Sequence, residues 1–373
     1  MSFRNFRISV TELAEFCCRQ GDLNLGLERT PSAQDGQRGQ RTVQAQRPPA
    51  YVREVSVNAT FGTDTFQCTL AGRIDGLQEH NALLQDNTAE QEGNSHSDNN
   101  LLTTNNAYTL IEEIKTTYCR EPDLPLAQKA VHWGQLKLYG ALYLQQHADT
   151  HLDLQLTYFN LDDDSTFFFK ETATRAELET FYNDCITRYT QWLQLQCAHL
   201  DQRDAFLQSL PFPFTDFRPG QRTLSVQAYR DLRDGTPALY QAATGLGKTV
   251  ALLYPALKLQ GEGKVRQLFY LTAKTSGQRS LTQALHQIAR NQSEASDQKA
   301  SHAVVPLRVL FLGARERLCF CGGIDTRLCD WQTGYYDRLA DALFAFQQQP
   351  LFTQDDLLQL ARRFHLCPHQ LSR

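Results

Sequence analysis

The chain lacks any long hydrophobic run. No stretch of its 373 residues approaches the ~20 consecutive apolar residues that span a bilayer. The opening segment, Met1-Ser2-Phe3-Arg4-Asn5-Phe6-Arg7, has no apolar core of the kind a secretory signal needs. A cytoplasmic protein without membrane contact is the expectation. Charge of one sign is also scarce: the formal net charge is −4, so no general field attracts polyanions, and nucleic-acid contact has to come from local patches. A disulfide framework is not expected either, because the ten cysteines are spread over a long chain in a reducing compartment. Six of them, Cys17, Cys18, Cys68, Cys119, Cys185 and Cys197, are scattered and read as core fillers. The length exceeds what one core usually supports, roughly 250–300 residues, and predicts two domains.

The most specific stretch is Ala242-Ala243-Thr244-Gly245-Leu246-Gly247-Lys248-Thr249. It reads as a phosphate-binding loop, with an expected buried strand before it (Pro237 to Gln241) and an expected helix after it. Gly245 and Gly247 admit backbone angles closed to other residues and bring amide N–H groups close to oxygens, while a helix N-terminus aims at the same point. Lys248 would reach the terminal phosphates and Thr249 would ligate Mg²⁺, with Thr244 in the loop itself. Upstream, Phe217-Arg218-Pro219-Gly220-Gln221 is similar to the adenine-reading segment of many helicases, with Gln221 as the base reader. Downstream, Leu268 to Thr275 reads as a strand whose polar exit, Thr272, Lys274 and Thr275, suits contacts to a phosphate backbone.

The first half alternates differently. Ile8 to Cys18 reads as a helix capped by Ser9 with Glu12 three residues on. Glu28 to Arg53 carries five arginines among Gln, Gly and Pro and reads as a solvated basic loop. Val52 to Phe61 and Phe66 to Leu77 form an expected hairpin whose second arm places Asp75 near a strand end. Residues 78–106 are rich in Asn, Gln, Ser and acids and read as a disordered insertion. Tyr108 to Thr117 is a strand by composition. Its alternation sends Glu113 and Lys115 to one face, Glu112 and Ile114 to the other. Two carboxylates from neighbouring strands and a lysine two residues along suit a divalent cation and a water poised for attack on a phosphodiester. A helix from Leu126 to Gln146 then puts Gln135 and Tyr139 on one face. A second hairpin follows around Asp162-Asp163-Asp164, read as a solvated turn, and a long helix from about Arg175 to Leu207 closes the domain.

Asp75, then Glu113-Ile114-Lys115, then Gln135-Leu136-Lys137-Leu138-Tyr139 resembles the PD-(D/E)XK nucleases of the RecB type over roughly residues 1–207. The resemblance implies a restriction-endonuclease-like α/β fold. It implies catalytic roles for Asp75, Glu113, Lys115, Gln135 and Tyr139, with Asp75 and Glu113 as ligands of Mg²⁺ or Mn²⁺. Nucleases of this type usually bring a further histidine in a Gly-x-x-x-His pattern; here Gly36 is followed four residues later by Gln40.

The second half resembles the iron–sulfur helicases of the XPD/DinG group, specifically bacterial members with a RecB-type nuclease domain at the N-terminus. Beyond the loop, the match rests on Arg317-Leu318-Cys319-Phe320-Cys321, Leu328-Cys329-Asp330-Trp331, Gly334 to Arg338 and Leu366-Cys367-Pro368. The resemblance implies a linker at 208–216, a partial RecA-like ATP-binding domain from 217 to 300, and a cysteine-rich insertion from 301 to 373. In that insertion Cys319, Cys321, Cys329 and Cys367 would hold a 4Fe-4S cluster; zinc is the rival ion for four thiolates. From Thr249 onward no apolar strand ends in Asp-Glu, so the expectation is the front part of an ATP-dependent helicase–nuclease of DNA repair or processing. Its partner would be single-stranded or forked DNA. The alternative is a non-catalytic DNA-binding module with a decayed nuclease site.

Overall fold

The computed structural model describes residues 3–23, 29–80, 108–121, 124–272, 275–295, 306–321, 329–347, 351–352 and 354–372. The greater part of the expected insertion at 78–106 lies outside these residues, as does Lys274. Two compact units emerge: one takes Phe3–Gln194, Gly313–Ala342 and Leu358–Arg373, the other Leu195–Leu312 and Leu343–Leu357. Their architecture is mixed α/β. Among the described residues no helix is long and apolar enough to cross a membrane.

The first unit is built on a mixed six-stranded sheet. Its elements run β1 (Arg4–Ser9), α1 (Val10–Cys18), α2 (Ala33–Ala45), β2 (Val52–Thr63), β3 (Phe66–His80), β4 (Tyr108–Thr117), α3 (Leu126–Leu144), β5 (His151–Asn160), β6 (Thr166–Thr174) and the first part of α4 (Arg175–Ser209), whose residues from Leu195 on belong to the second unit. Strand order is β1-β3-β4-β5-β6, with β2 paired to β3. The hairpin β2–β3 is antiparallel from Val52↔Leu77 to Thr63↔Phe66. β4 and β5 are parallel, as a helical crossover through α3 requires. One edge of β3 is shared: β1 covers Phe66 to Ala71 and β4 covers Gly76 to His80. Residues 72–75 fall between the two ladders, and this gap positions the site.

Local signals account for most of these elements. Ser9 caps α1 in a reciprocal box with Glu12, each accepting from the other's backbone, an arrangement worth about 1 kcal/mol for the cap alone. The core runs through Phe66, Leu70, Ile74, Ile111, Leu136, Leu138, Leu142, Tyr158 and Phe159, all fully buried.

The expected helix stands, with α1 starting at Val10 behind the Ser9 cap; ahead of it Arg4–Ser9 is a strand in which Asn5 and Arg7 alternate with Phe6 and Ile8. One expectation for this unit needs correction. The supposed basic loop contains a thirteen-residue helix, α2, capped by Ser32 with Asp35. Two of the segment's arginines make exposed ion pairs, Arg29 with Asp162 at 3.0 Å and Arg38 with Asp164 at 2.9 Å, so the acidic triplet is a solvated turn that also meets the α2 region.

The second unit contains the helices α5 (Gln221–Arg233), α6 (Lys248–Gly261) and α7 (Thr275–Ala295), and a parallel pair β7 (Val309–Leu310) and β8 (Leu351–Phe352). Leu207, Leu210, Val250, Leu253, Leu257, Leu285 and Ile288 form its core. The strands expected at Pro237–Gln241 and Leu268–Thr272 are absent: neither segment has ladder partners, and Leu239, Phe269 and Leu271 are 99%, 74% and 90% exposed. A strand is defined by its neighbours, and apolar composition alone does not supply them. The remaining helices are α8 (Arg315–Leu318), α9 (Tyr335–Gln347), α10 (Gln354–Phe364) and α11 (Pro368–Leu371).

Two glycines of α2 give opposite forecasts. A Cβ at Gly39 would lie 2.3 Å from Thr116 Cγ2 and 2.9 Å from the Phe159 ring, whereas at Gly36 it would meet only Thr116 Oγ1 at 4.0 Å. Gly39→Ala should therefore cost about 1–3 kcal/mol in urea denaturation through overpacking. Gly36→Ala should be neutral or stabilise by up to about 1 kcal/mol.

Candidate functional site

β3 and β4 part company beyond the Gly76↔Glu112 pair. The amide of Ile114 has then lost its place in that ladder, and Asp75 Oδ2 accepts it at 2.8 Å. A side-chain carboxylate thus replaces a strand partner at the gap. Gly72, three residues earlier, has no room for a Cβ because the Tyr139 ring would lie 2.6 Å away.

The predicted alternation of β4 holds. Glu113 and Lys115 face α3, and Lys115 Nζ lies 2.7 Å from Glu113 Oε1. From α3, Gln135 Nε2 donates to the same oxygen at 2.7 Å, while Gln135 Oε1 accepts from Lys115 Nζ at 3.0 Å. Tyr139 Oη accepts from Gln135 Nε2 at 3.3 Å. All five residues singled out for phosphodiester chemistry are therefore brought together. Gly134 permits this approach of α3, since a Cβ there would lie 2.4 Å from Cys18 Sγ on α1.

Electrostatics set the character of the cluster. Burial, followed by the neighbouring Glu113 charge, pushes the Asp75 carboxyl well above its usual range, against the opposing hydrogen bond from Ile114. Burial raises Glu113 too, offset in part by Lys115. Burial alone would lower Lys115, but the charge and hydrogen bond of Glu113 outweigh it and hold the ammonium on. Glu113 Oε2 is buried and has no hydrogen-bond partner. An orphaned carboxylate oxygen carries a desolvation cost of about 1–3 kcal/mol or more unless something of positive charge meets it. The donor set, Asp75 and Glu113 with all-oxygen character, fits a hard divalent cation such as Mg²⁺ or Mn²⁺.

Sequence reasoning passed over three residues here. His132, one turn before Gln135, has Nδ1 2.8 Å from the Tyr158 hydroxyl, and burial with the nearby Lys115 pushes it down to about 3, so it stays neutral. Arg47 and Tyr51 bind the fully buried Glu112 on the opposite face of the sheet. No local motif announces any of the three.

In the second unit, Gly245 and Gly247 both take left-handed angles, at φ of 86° and 83°. Gly247 caps α6, which starts at Lys248 with Thr249 next. Lys248 Nζ donates to the carbonyls of Ala242 and Ala243 at 3.0 Å each, and Thr244 is exposed. Gln221 is buried and engaged at both ends of its carboxamide, donating to Gly247 O at 3.2 Å and accepting from Arg218 N at 3.0 Å. Arg218 also bonds Gly245 O. The segment expected to read a base is thus also bonded to the glycine loop. Thr272 packs near Gly277, and Thr275 opens α7.

The four late cysteines gather within the sheet-bearing unit. Cys321 Sγ and Cys329 Sγ are 2.8 Å apart, Cys319 hydrogen-bonds Cys321, and the buried Cys367 senses both Cys329 and Cys319. Contact with Cys329 pushes the Cys321 thiol up to about 12. Four thiols are the donor set of an iron–sulfur cluster or a closed zinc site. The Cys321 and Cys329 sulfurs would have to separate by roughly 1 Å to sit as neighbouring ligands of one tetrahedral zinc ion. Among the described residues no group of three or more His, Cys, Asp or Glu side chains is already spaced around an ion. Beside these cysteines in the chain, Trp331 stacks on His365 at a centroid distance of 4.3 Å and meets the Phe320 ring at a tilt, at 4.6 Å.

No family model and no curated protein matches the chain. Among solved structures it is similar to a chain described as "Crystal structure of SSO0001", at 16% identity, over 48% of this chain and 75% of that one, with a TM-score of 0.28. A likeness at that score carries no argument.

Asp75 yields a stability forecast. Its folded carboxyl binds a proton more tightly than the unfolded value of 3.8, so the folded state holds more protons and stability falls as pH rises above that value. In chelator, Asp75→Asn should melt higher than wild type at pH 8, and the gap should close toward pH 4, as read by thermal denaturation at the two values.

Proposed function

We propose that the sheet-bearing unit is a PD-(D/E)XK nuclease domain that cuts DNA with a divalent cation, carried on the same chain as the ATP-binding part of an iron–sulfur helicase. One observation supports the cutting half above the rest: Glu113 Oε2 is buried without a partner beside Asp75 and Lys115. Asp75 and Glu113 would hold the ion, which when bound supplies charge to the phosphodiester oxygens and acidifies a water. Lys115 orients that water and offers an N–H to the developing phosphate charge. Gln135 fixes Lys115 and Glu113 relative to each other, and Tyr139 braces Gln135.

The glycine loop supports the second half. Left-handed Gly245 and Gly247, the start of α6 and Lys248 make an anion cradle suited to the phosphates of ATP. Thr244 and Thr249 complete it, Thr249 as the Mg²⁺ ligand. Gln221 in this reading sets the loop's shape. Cys319, Cys321, Cys329 and Cys367 would hold a 4Fe-4S cluster; iron and sulfide in stoichiometric analysis support that assignment and zinc alone overturns it.

Purified full-length protein with Mn²⁺ should nick single-stranded DNA, and Lys115→Ala should lower the rate by about 10³-fold or more. Cutting that persists in Lys115→Ala removes the site assignment. DNA binding with no cutting under any divalent metal favours the non-catalytic module instead. Lys248→Ala should abolish binding of a fluorescent ATP analogue while leaving the nicking rate unchanged.

A further inference from the structure

Glu112 and Glu113 are adjacent in sequence and opposite in situation. Both oxygens of Glu112 are saturated. Oε1 accepts from Gln155 Nε2 at 2.7 Å, from Thr157 Oγ1 at 2.5 Å and from Arg47 Nη2; Oε2 accepts from Arg47 Nε at 3.0 Å and Tyr51 Oη at 2.7 Å. A carboxylate so occupied has nothing left to offer a ligand, so Glu112 holds structure while Glu113, with its open oxygen, faces the chemistry. What Glu112 holds is the segment just after α2, because Arg47 grips it with a two-pronged fork that fixes both position and rotation.

From the C-terminal half of α2 itself, two carboxamides reach Asp75. Gln40 Nε2 donates to Asp75 Oδ1 at 2.8 Å and Gln44 Nε2 donates to the Asp75 backbone carbonyl at 2.8 Å. A carbonyl oxygen only accepts, so the orientation of Gln44 is fixed by chemistry. An amide N–H has no lone pair for a cation. Gln40 in this arrangement aims a ligand and is not one. Gly39, next to it, lets α2 lie against Thr116 and Phe159 closely enough for the reach.

Resting on the nuclease reading above, we propose that α2 is a positioning device for the cation site: Gln40 and Gln44 aim the Asp75 carboxylate, and the Arg47–Glu112 pair fixes the helix that carries them. Positioning residues of this kind govern ion affinity without touching the ion, typically by 10–100-fold.

The test is calorimetric titration of Mn²⁺ into chelator-treated full-length protein, alongside the Mn²⁺ concentration needed for half-maximal nicking. Asp75→Asn should abolish the binding that belongs to this site. Gln40→Leu should weaken it by about 10–100-fold, and Arg47→Met should weaken it in the same direction although Arg47 touches neither ligand. KM for DNA should stay put in both, and Arg47→Lys should recover part of the loss by restoring the charge opposite Glu112. Should Arg47→Met fail to fold by circular dichroism, Gln40→Leu decides alone. Wild-type Mn²⁺ affinity in Gln40→Leu, or in a folded Arg47→Met, overturns the proposal while leaving the nuclease reading standing. Absence of any Asp75-dependent Mn²⁺ binding in the wild type overturns both.

Discussion

The geometry of the candidate site depends on one backbone amide that has lost its sheet partner. Where β4 leaves β3, the N–H of Ile114 would be stranded in the interior, and Asp75 takes the role of the missing strand. Satisfying that donor costs the chain an aspartate in a half-buried position beside Glu113, with the electrostatic strain that follows. Lys115 relieves part of it by standing against Glu113 as an internal counter-charge. Fold and electrostatics are therefore the same constraint seen from two sides: the divergence of two strands creates the need for a carboxylate, and the carboxylate beside Glu113 gathers the negative charge that Lys115 offsets.

The two faces of the sheet divide the labour. Toward α3 lie Glu113, Lys115, Gln135 and Tyr139, incompletely satisfied and partly open to solvent at Lys115. Toward α2 lies Glu112, closed within a network in which every oxygen is met. Buried ionic groups are weak contributors to stability and strong contributors to uniqueness when fully partnered. The closed network suits a structural brace, and the open one suits a site.

Alternation made β4 legible, since a strand's period of two separates Glu112 from Glu113 without further information. The hairpin β2–β3, the helix α3 and the pair β5–β6 were equally plain, because turn residues and apolar periods agreed. α2 was not. Its buried face is Gly39, Val43 and Gln44, too polar and too small to register as a core-facing stripe, and its length of arginine and glutamine resembles a solvated loop. The capping pair Ser32 and Asp35 was the one local mark of it. Arg47 and Tyr51 could not be assigned because their partner lies more than sixty positions away. Around the glycine loop the failure ran the other way. Pro237–Gln241 and Leu268–Thr272 have the composition of buried strands, yet composition cannot supply neighbours.

Those two segments leave Leu239, Phe269 and Leu271 in water. Large apolar side chains left in water make a surface adhesive. Self-association would bury those three side chains, so the unit that carries the glycine loop is expected to grow less soluble as its concentration rises.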